Sequence, residues 1–329
     1  MPTEKSVPSF ELLDEIDFVG LKVAVLRTTL DLDLLTKVAA GATTVPALAA
    51  ACAASERGVR VLVRALLAIG LLDGSDAAFT PSRVAEAYLV DGAAGDARAI
   101  FASWLQNRDA LTESVRSGVG PGRHDEHDAE DDWQSFASPD IVRWPQLAPE
   151  IVELLAGRGV VARPGDRILD FGSGSALSSL ALARATDGVL VTAVDRAAVL
   201  TTATRLAAEM GLSDRLTIVA GDVDTVVLPE ASFDLALFAN VAQYLDDARF
   251  AAALRRLRES LRSGGTVYVV SAVVTDDDPG HMTWATNVEM FLASNIDQRD
   301  VATITRMMTD AGFTEIRYIA PTRFVATAP

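Results

Sequence analysis

Cysteine is nearly absent: Cys52 is the only one among 329 residues. No internal disulfide can form, and a reducing, cytoplasmic setting is expected. Cys52 itself stands in an Ala-rich helical run, where it reads as a small buried hydrophobe. Positive charge is also short. With 29 basic against 45 acidic residues and a formal net charge of −16, the surface repels phosphate backbones and anionic lipids, which argues against nucleic acid or membrane as a main partner. Uninterrupted apolar runs are missing, because the stretch 38–54 is broken by Gly41 and Pro46 and is too short to span a bilayer. Residues 1–10 carry no basic patch ahead of an apolar core, so no secretion signal is read there. Metal-ligand clusters are equally thin. His124 and His127 stand among the carboxylates of 124–132, but no third ligand at helical or hairpin spacing joins them. A solvated loop or lid segment is the plainer reading, and no metal is expected.

What is present is apolar bulk. Half of the chain is hydrophobic (50%), enough for a real core and for one large or two ordinary domains. The first part, 11–120, reads almost entirely as helix. Thr44 with an early proline starts one helix, and an amphipathic helix over 55–70 is stopped by Gly70. A small β-wing follows over 71–80, with its turn placed at Asp73-Gly74. Helix, turn, helix and wing describe a winged-helix unit. Its candidate recognition helix carries Arg57, Arg60 and Arg64 among Leu62, Leu66 and Leu67, which want a core. With the acidic surround, a dimerisation module fits better than a DNA-binding one.

After Pro164-Gly165 the pattern changes to alternating strands and helices. Strands are predicted over 167–171, 190–194, 216–219, 233–238 and 266–272, with Gly264-Gly265 introducing the last. Helices are predicted over 177–184, 197–210 and 248–261, and a closing hairpin over 314–319 and 323–327 around Pro321. Such alternation implies an α/β fold with a parallel sheet covered on both faces. No internal repeat is visible. The expected organisation is a helical dimerisation domain over 1–120, linking helices or a lid over 121–160, and a Rossmann-like domain over 161–329.

The most telling stretch is Arg167-Ile-Leu-Asp-Phe-Gly-Ser-Gly-Ser-Ala176. An apolar strand runs through Asp170 into a turn with Gly172 and Gly174, and a helix follows. Glycines let the backbone turn sharply and bring a ligand against bare amides at a helix N-terminus. A dinucleotide fingerprint wants a third glycine or alanine where Leu177 stands, so NAD fits poorly. Asp195, at the tip of the second strand, is placed to accept from both ribose hydroxyls. Asp222, after the third, is placed to take an amino group on an adenine ring. Asp170 adds negative charge near the turn, which suits a cationic ligand better than a diphosphate.

These elements resemble a known family. Asp170-Phe-Gly-Ser-Gly, Val194-Asp195, Gly221-Asp222 and Phe233-Asp-Leu-Ala-Leu-Phe-Ala-Asn240 are similar to the motifs of class I S-adenosylmethionine-dependent methyltransferases. With the N-terminal run from Lys22 through 62–72 to Phe79-Thr-Pro-Ser, nearly the whole chain resembles the small-molecule O-methyltransferases that carry a winged-helix dimerisation domain. The resemblance implies a seven-stranded Rossmann-like sheet with an antiparallel last strand, a homodimer, and S-adenosyl-L-methionine as cofactor. It assigns Asp170, Gly172, Ser173, Gly174, Asp195, Arg196, Gly221, Asp222, Val223 and Asn240 to the cofactor. One departure is Ala176, where the family usually has glycine; alanine is small enough for close helix packing.

A second departure bears on the reaction. Oxygen-methylating relatives carry a histidine base in an Asn-x-x-His pattern after the fourth strand, and here that position is Gln243. A glutamine amide cannot take up a proton near neutral pH. Losing a general base forfeits roughly 10²–10⁴ in rate for an acceptor that must be deprotonated. Either the acceptor needs no strong base, or His281, Asp246 or Asp247 supplies one, or the fold does different chemistry. The acceptor pocket is expected to draw Trp104, Trp133, Phe136 and Trp144 from the bridging helices. From the segment after the fifth strand it is expected to draw Met282, Trp284, Asn287, Met290 and Phe291, with Asn287 as the polar contact. The expected activity is methyl transfer to a small aromatic or polyketide-like metabolite of secondary metabolism, on carbon or oxygen, by alignment. The alternatives are a hydroxylase- or cyclase-like relative that binds the cofactor without methylating, and a winged-helix regulator that senses it.

Overall fold

A computed structural model describes residues 11–121, 130–223, 225–273, 281–293, 298–319 and 322–329, with the backbone alone at 130–132, 281–284 and 286. The chain divides into two compact units, Met1–Leu105 and Gln106–Pro329.

The first unit holds α1 (Glu11–Asp31), α2 (Leu34–Ala39), α3 (Val45–Ala51), α4 (Glu56–Ala68), the hairpin β1 (Leu72–Ser75) and β2 (Ala78–Pro81), α5 (Arg83–Tyr88), and the start of α6 (Arg98–Asp109). Local chemistry sets these boundaries. The Thr44 hydroxyl accepts from the Ala47 N–H at 3.4 Å and the Ser55 hydroxyl from the Gly58 N–H at 3.1 Å, so each helix start has one orphan amide satisfied. Leu34, Leu48, Val63, Leu66 and Phe79 form the core, while Arg57, Arg60 and Arg64 stay exposed on the outer face of α4. Arg64 pairs with Asp76 at 2.5 Å. The wing corrects the sequence reading. Asp73 and Gly74 lie inside β1, opposite Thr80 and Phe79, and the chain reverses at Asp76-Ala77. Gly74, at φ +114, would bring a Cβ to 2.4 Å from the Ala78 carbonyl oxygen, so it serves close strand approach and not the turn itself.

The second unit runs α7 (Leu111–Ser117), α8 (Glu130–Ala137), α9 (Asp140–Ala156), β3 (Arg167–Phe171), α10 (Leu177–Ala185), β4 (Leu190–Asp195), α11 (Ala197–Glu209), β5 (Leu216–Ala220), β6 (Phe233–Ala239), α12 (Asp247–Ser260), β7 (Leu261–Val270), α13 (His281–Ala293), α14 (Val301–Asp310), β8 (Thr314–Ile319) and β9 (Arg323–Thr327). Seven strands pair in the order β5-β4-β3-β6-β7-β9-β8, with β9 antiparallel to both neighbours and the rest of the central ladder parallel. Alternate residues feed two cores. Ile168, Leu235, Leu237 and Tyr268 pack with α9, α10 and α11, while Leu169, Phe171, Ala236, Phe238 and Val267 pack with α12 and α14. Both faces are therefore covered, as the near-continuous apolar strands require. The fifth strand of the parallel set begins earlier than its sequence suggests. Leu261 already pairs with Phe233, and the ladder resumes at Leu235 opposite Thr266 after an irregularity that contains Gly264-Gly265. The strand ends at Val270, short of Ala272.

Candidate functional site

The order of strands reverses between β3 and β6, and ligands in open α/β sheets bind in the crevice outside the strand carboxyl ends at such a point. A cavity of about 360 Å³ opens there, within the second unit. All ten cofactor residues read from the sequence line it: Asp170, Gly172, Ser173, Gly174, Asp195, Arg196, Gly221, Asp222, Val223 and Asn240.

The loop after β3 makes its first wall. The Gly172 and Ser173 N–H groups donate to the Val194 carbonyl at 2.8 and 3.0 Å, which folds the turn back over β4. Gly172 adopts φ +74, and a Cβ on it would meet Val241 Cγ2 at 2.4 Å. Ala176, also left-handed at φ 57, is fully buried at the start of α10. Glycine is the residue such a backbone favours, so Ala176 holds this conformation at some cost in strain.

Carboxylates make the second feature. Asp195 accepts from the Gly174 N–H and the Arg196 N–H, both at 2.8 Å. Burial pushes its carboxyl up, against the lowering effect of those two amides. Asp170 accepts from the Ser179 hydroxyl at 2.6 Å, and burial pushes its carboxyl up to about 7. Asp222 is held by Arg249 at 3.2 Å, and Arg249 lines the cavity too. A cation entering such a site favours the ionised carboxylates that burial alone disfavours.

Two buried polar atoms of the lining, Ser173 Oγ and Arg196 Nη1, have no hydrogen-bond partner among the described residues. Orphans of this kind in a native cavity fit a polar ligand. Together with the glycine turn, they match an adenosyl compound bearing a charged tail.

The predicted catalytic and acceptor residues are less uniformly placed. Gln243 is buried, with no hydrogen-bond partner for Oε1, and it stands beside the cavity lining, not in it. The next residue, Tyr244, does line the cavity. Burial, then the nearby Glu289 charge, pushes the Tyr244 phenol up to about 12, so it is a neutral donor at any ordinary pH. Trp133 stands edge-on to Tyr244 at 4.8 Å, and Trp133 and Phe136 both line the cavity. Asn287, partly buried, has an unpartnered Oδ1. Met290 is buried and Phe291 partly so. None of these three is in the cavity wall. Their helix is anchored by Glu289, which binds Arg108 at 2.9 Å.

His281, Met282 and Trp284 stand in the first turn of α13, and their side chains lie outside the described ones. His124 to Ala129 also lie outside the described residues. Trp104 belongs to the first unit, edge-on to Phe101 at 5.5 Å. Trp144 packs against the core under the Arg184 guanidinium, 5.0 Å from its ring. Asp246 caps α12 by accepting from the Arg249 N–H at 2.8 Å. Asp247 pairs with Arg299 at 2.7 Å. Both are thus engaged in holding α12. Asp140, Ser175, Tyr244 and Arg249 were not read as site residues. Only Tyr244 had a sequence signal, its place next to the expected base.

Models of known families match two stretches. A methyltransferase domain covers residues 168–265 and an O-methyltransferase dimerisation domain covers residues 18–91. The chain is 26% identical over 312 residues to 3-hydroxy-5-methyl-1-naphthoate 3-O-methyltransferase of Streptomyces sahachiroi, across 91% of this chain and 88% of that one. It is 29% identical over 174 residues to L-tyrosine C(3)-methyltransferase of Streptomyces lavendulae, across 52% of this chain and 46% of that one. Among solved structures, human N-acetylserotonin methyltransferase in complex with S-adenosylmethionine superposes with a TM-score of 0.72 at 17% identity, covering 99% of both chains. That likeness gives the fold. Among the described residues no helix is long and apolar enough to cross a membrane.

Proposed function

We propose, from the premise that this chain belongs to the S-adenosylmethionine-dependent methyltransferases with an O-methyltransferase dimerisation domain, that it methylates a small aromatic or polyketide-like metabolite without a histidine base. The observation that carries this reading is the convergence of ten motif residues on one cavity at the switch point of the sheet. S-adenosylmethionine supplies a methyl group on a sulfonium, already activated toward nucleophiles. Asp195, presented by the Gly174 and Arg196 amides, holds the ribose. Asp222 and Val223 take the adenine. The turn at Gly172–Gly174 leaves room for the methionine portion, and Asn240, which lines the same cavity, would offer a polar group to it.

The protein's remaining task is alignment and exclusion of water. Well-oriented reactants gain roughly 7–11 kcal/mol over free encounter, so transfer does not depend on acid–base help. Gln243 cannot deprotonate an acceptor, which favours an activated carbon, an enolate or an amine over an un-ionised phenol. Trp133, Phe136 and Tyr244 offer the transfer end of the cavity a planar, mostly apolar wall, suited to an aromatic acceptor. The relative that methylates tyrosine carbon supports carbon as the acceptor atom; the naphthoate enzyme keeps oxygen as the alternative.

The exposed apolar side chains of α1, among them Leu12, Ile16, Phe18 and Val19, support a homodimer joined through the first unit. Incubation of the purified protein with methyl-labelled cofactor and a panel of hydroxynaphthoates, enolisable polyketides and tyrosine tests the activity. Label on a carbon of one panel member supports the reading. An oxidised, unmethylated product that forms only with dioxygen present, while the cofactor stays unconsumed, would favour the hydroxylase-like alternative.

A further inference from the structure

The cavity contains a carboxylate that no motif supplies. Asp140, the first residue of α9, lines it together with Asp170 and Asp195. Its Oδ2 accepts from the Ser175 hydroxyl at 2.5 Å, and Ser175 follows Gly174 directly in the loop after β3. The first turn of a helix is a favourable place for an anion, because its free amides carry partial positive charge. Oδ1 lies 3.9 Å from the Arg143 guanidinium, beyond hydrogen-bond distance, so it keeps acceptor capacity.

Topology says which part of the cofactor Asp140 meets. Asp222 at the end of β5 and Asp195 at the end of β4 mark the adenosine half. With the strands ordered β5-β4-β3-β6, an extended ligand starting there runs over the end of β3 toward β6. Asp140 is tied to the loop after β3 and so flanks the amino-acid tail. That tail carries an ammonium group. Asp170 is only 5% exposed and reaches it less readily than Asp140, whose side chain is 26% exposed. Ser173, on the same loop, has a buried hydroxyl oxygen with no partner among the described residues, a second polar group available to the tail.

We propose that Asp140 accepts the α-ammonium of the cofactor's methionine tail, oriented by the Ser175 hydroxyl. This rests on the reading that the cavity takes S-adenosylmethionine. Calorimetry on the full chain separates the two. The probes are S-adenosylhomocysteine and its analogue with hydrogen in place of the α-amino group. Wild type should bind the first well over tenfold more tightly than the second. Asp140→Asn should lose at least about tenfold for S-adenosylhomocysteine and change little for the analogue. Ser175→Ala should show the same selectivity with a smaller loss, and it decides the matter should Asp140→Asn fail to fold. Equal losses for both probes would make Asp140 a structural clasp, and no loss would make it a bystander; either overturns the proposal. A wild-type chain that binds neither probe would instead overturn the cofactor reading beneath it.

Discussion

Two glycines two residues apart should fail in opposite ways when given a methyl group. At Gly172 an added Cβ meets Val241 Cγ2 at 2.4 Å with φ at +74, whereas at Gly174, with φ at +54, it meets nothing within 4 Å. The left-handed backbone costs alanine about 1–2 kcal/mol at either site. Overpacking against Val241 adds about 1–3 kcal/mol at Gly172 only. For a unit the size of 106–329, each kcal/mol moves the melting temperature by about 2–4 °C. Gly172→Ala should therefore melt about 4–20 °C below wild type, and Gly174→Ala about 2–8 °C below. The open space beside Gly174 belongs to the cavity, so its methyl group takes room from the cofactor. Gly174→Ala should lose at least about tenfold in affinity for S-adenosylhomocysteine, about 1.4 kcal/mol. Circular dichroism melts and calorimetry read both quantities. The reasoning is refuted if the two variants melt within about 2 °C of each other, or if Gly174→Ala binds as wild type does.

Asp170 ties cofactor affinity to pH. Its folded carboxyl sits at about 7 against an ordinary 3.8. Its contribution to stability is therefore full below about pH 4 and is lost as pH rises through about 7. Affinity for the cationic cofactor should rise from pH 6 to pH 8 and then level, and Asp170→Asn should flatten that rise in calorimetry while leaving the unliganded protein at least as stable at pH 8. Arg299 donates to the carbonyls of Ala242 and Leu245 at 3.0 and 2.6 Å; the Ala242 carbonyl also accepts from the Leu245 N–H at 3.3 Å, so Arg299→Ala orphans the Leu245 carbonyl and should cost about 1–3 kcal/mol, read as a lower denaturation midpoint. Ile16 and Val19 are both 58% exposed on α1; the pair Ile16→Glu and Val19→Glu should convert a dimer to a monomer in light scattering without lowering the melting temperature of the second unit.

Legibility in the sequence followed the range of the interactions. The β3 strand and its glycine turn form through neighbours only a few residues apart, and so do the carboxylates that end β4 and follow β5; all were readable in order. The wing turn was misplaced because Asp-Gly is a common hairpin signal, while here Gly74 answers to the carbonyl across the strand. The start of β7 was placed too late because Gly264-Gly265 reads as a strand opening, whereas it lies within the irregularity that the strand bridges between Leu261 and Thr266. Asp140 was out of reach for a different reason. It lies 35 residues before Ser175, on a helix whose own pattern shows only amphipathicity, and only the packing of α9 on α10 brings it to the loop. Tyr244 carries no mark of its own in the sequence beyond its place after Gln243. The family position at Gln243 predicts a residue of interest, but it is the next side chain that reaches the cavity.

The central claim is that amides and strand-tip carboxylates around β3 hold an adenosyl sulfonium. Titration calorimetry of the purified chain with S-adenosylhomocysteine tests it most directly. One site per chain with micromolar or tighter affinity, weakened at least about tenfold in Asp195→Ala, is the predicted result; no measurable heat of binding from a folded protein would contradict it.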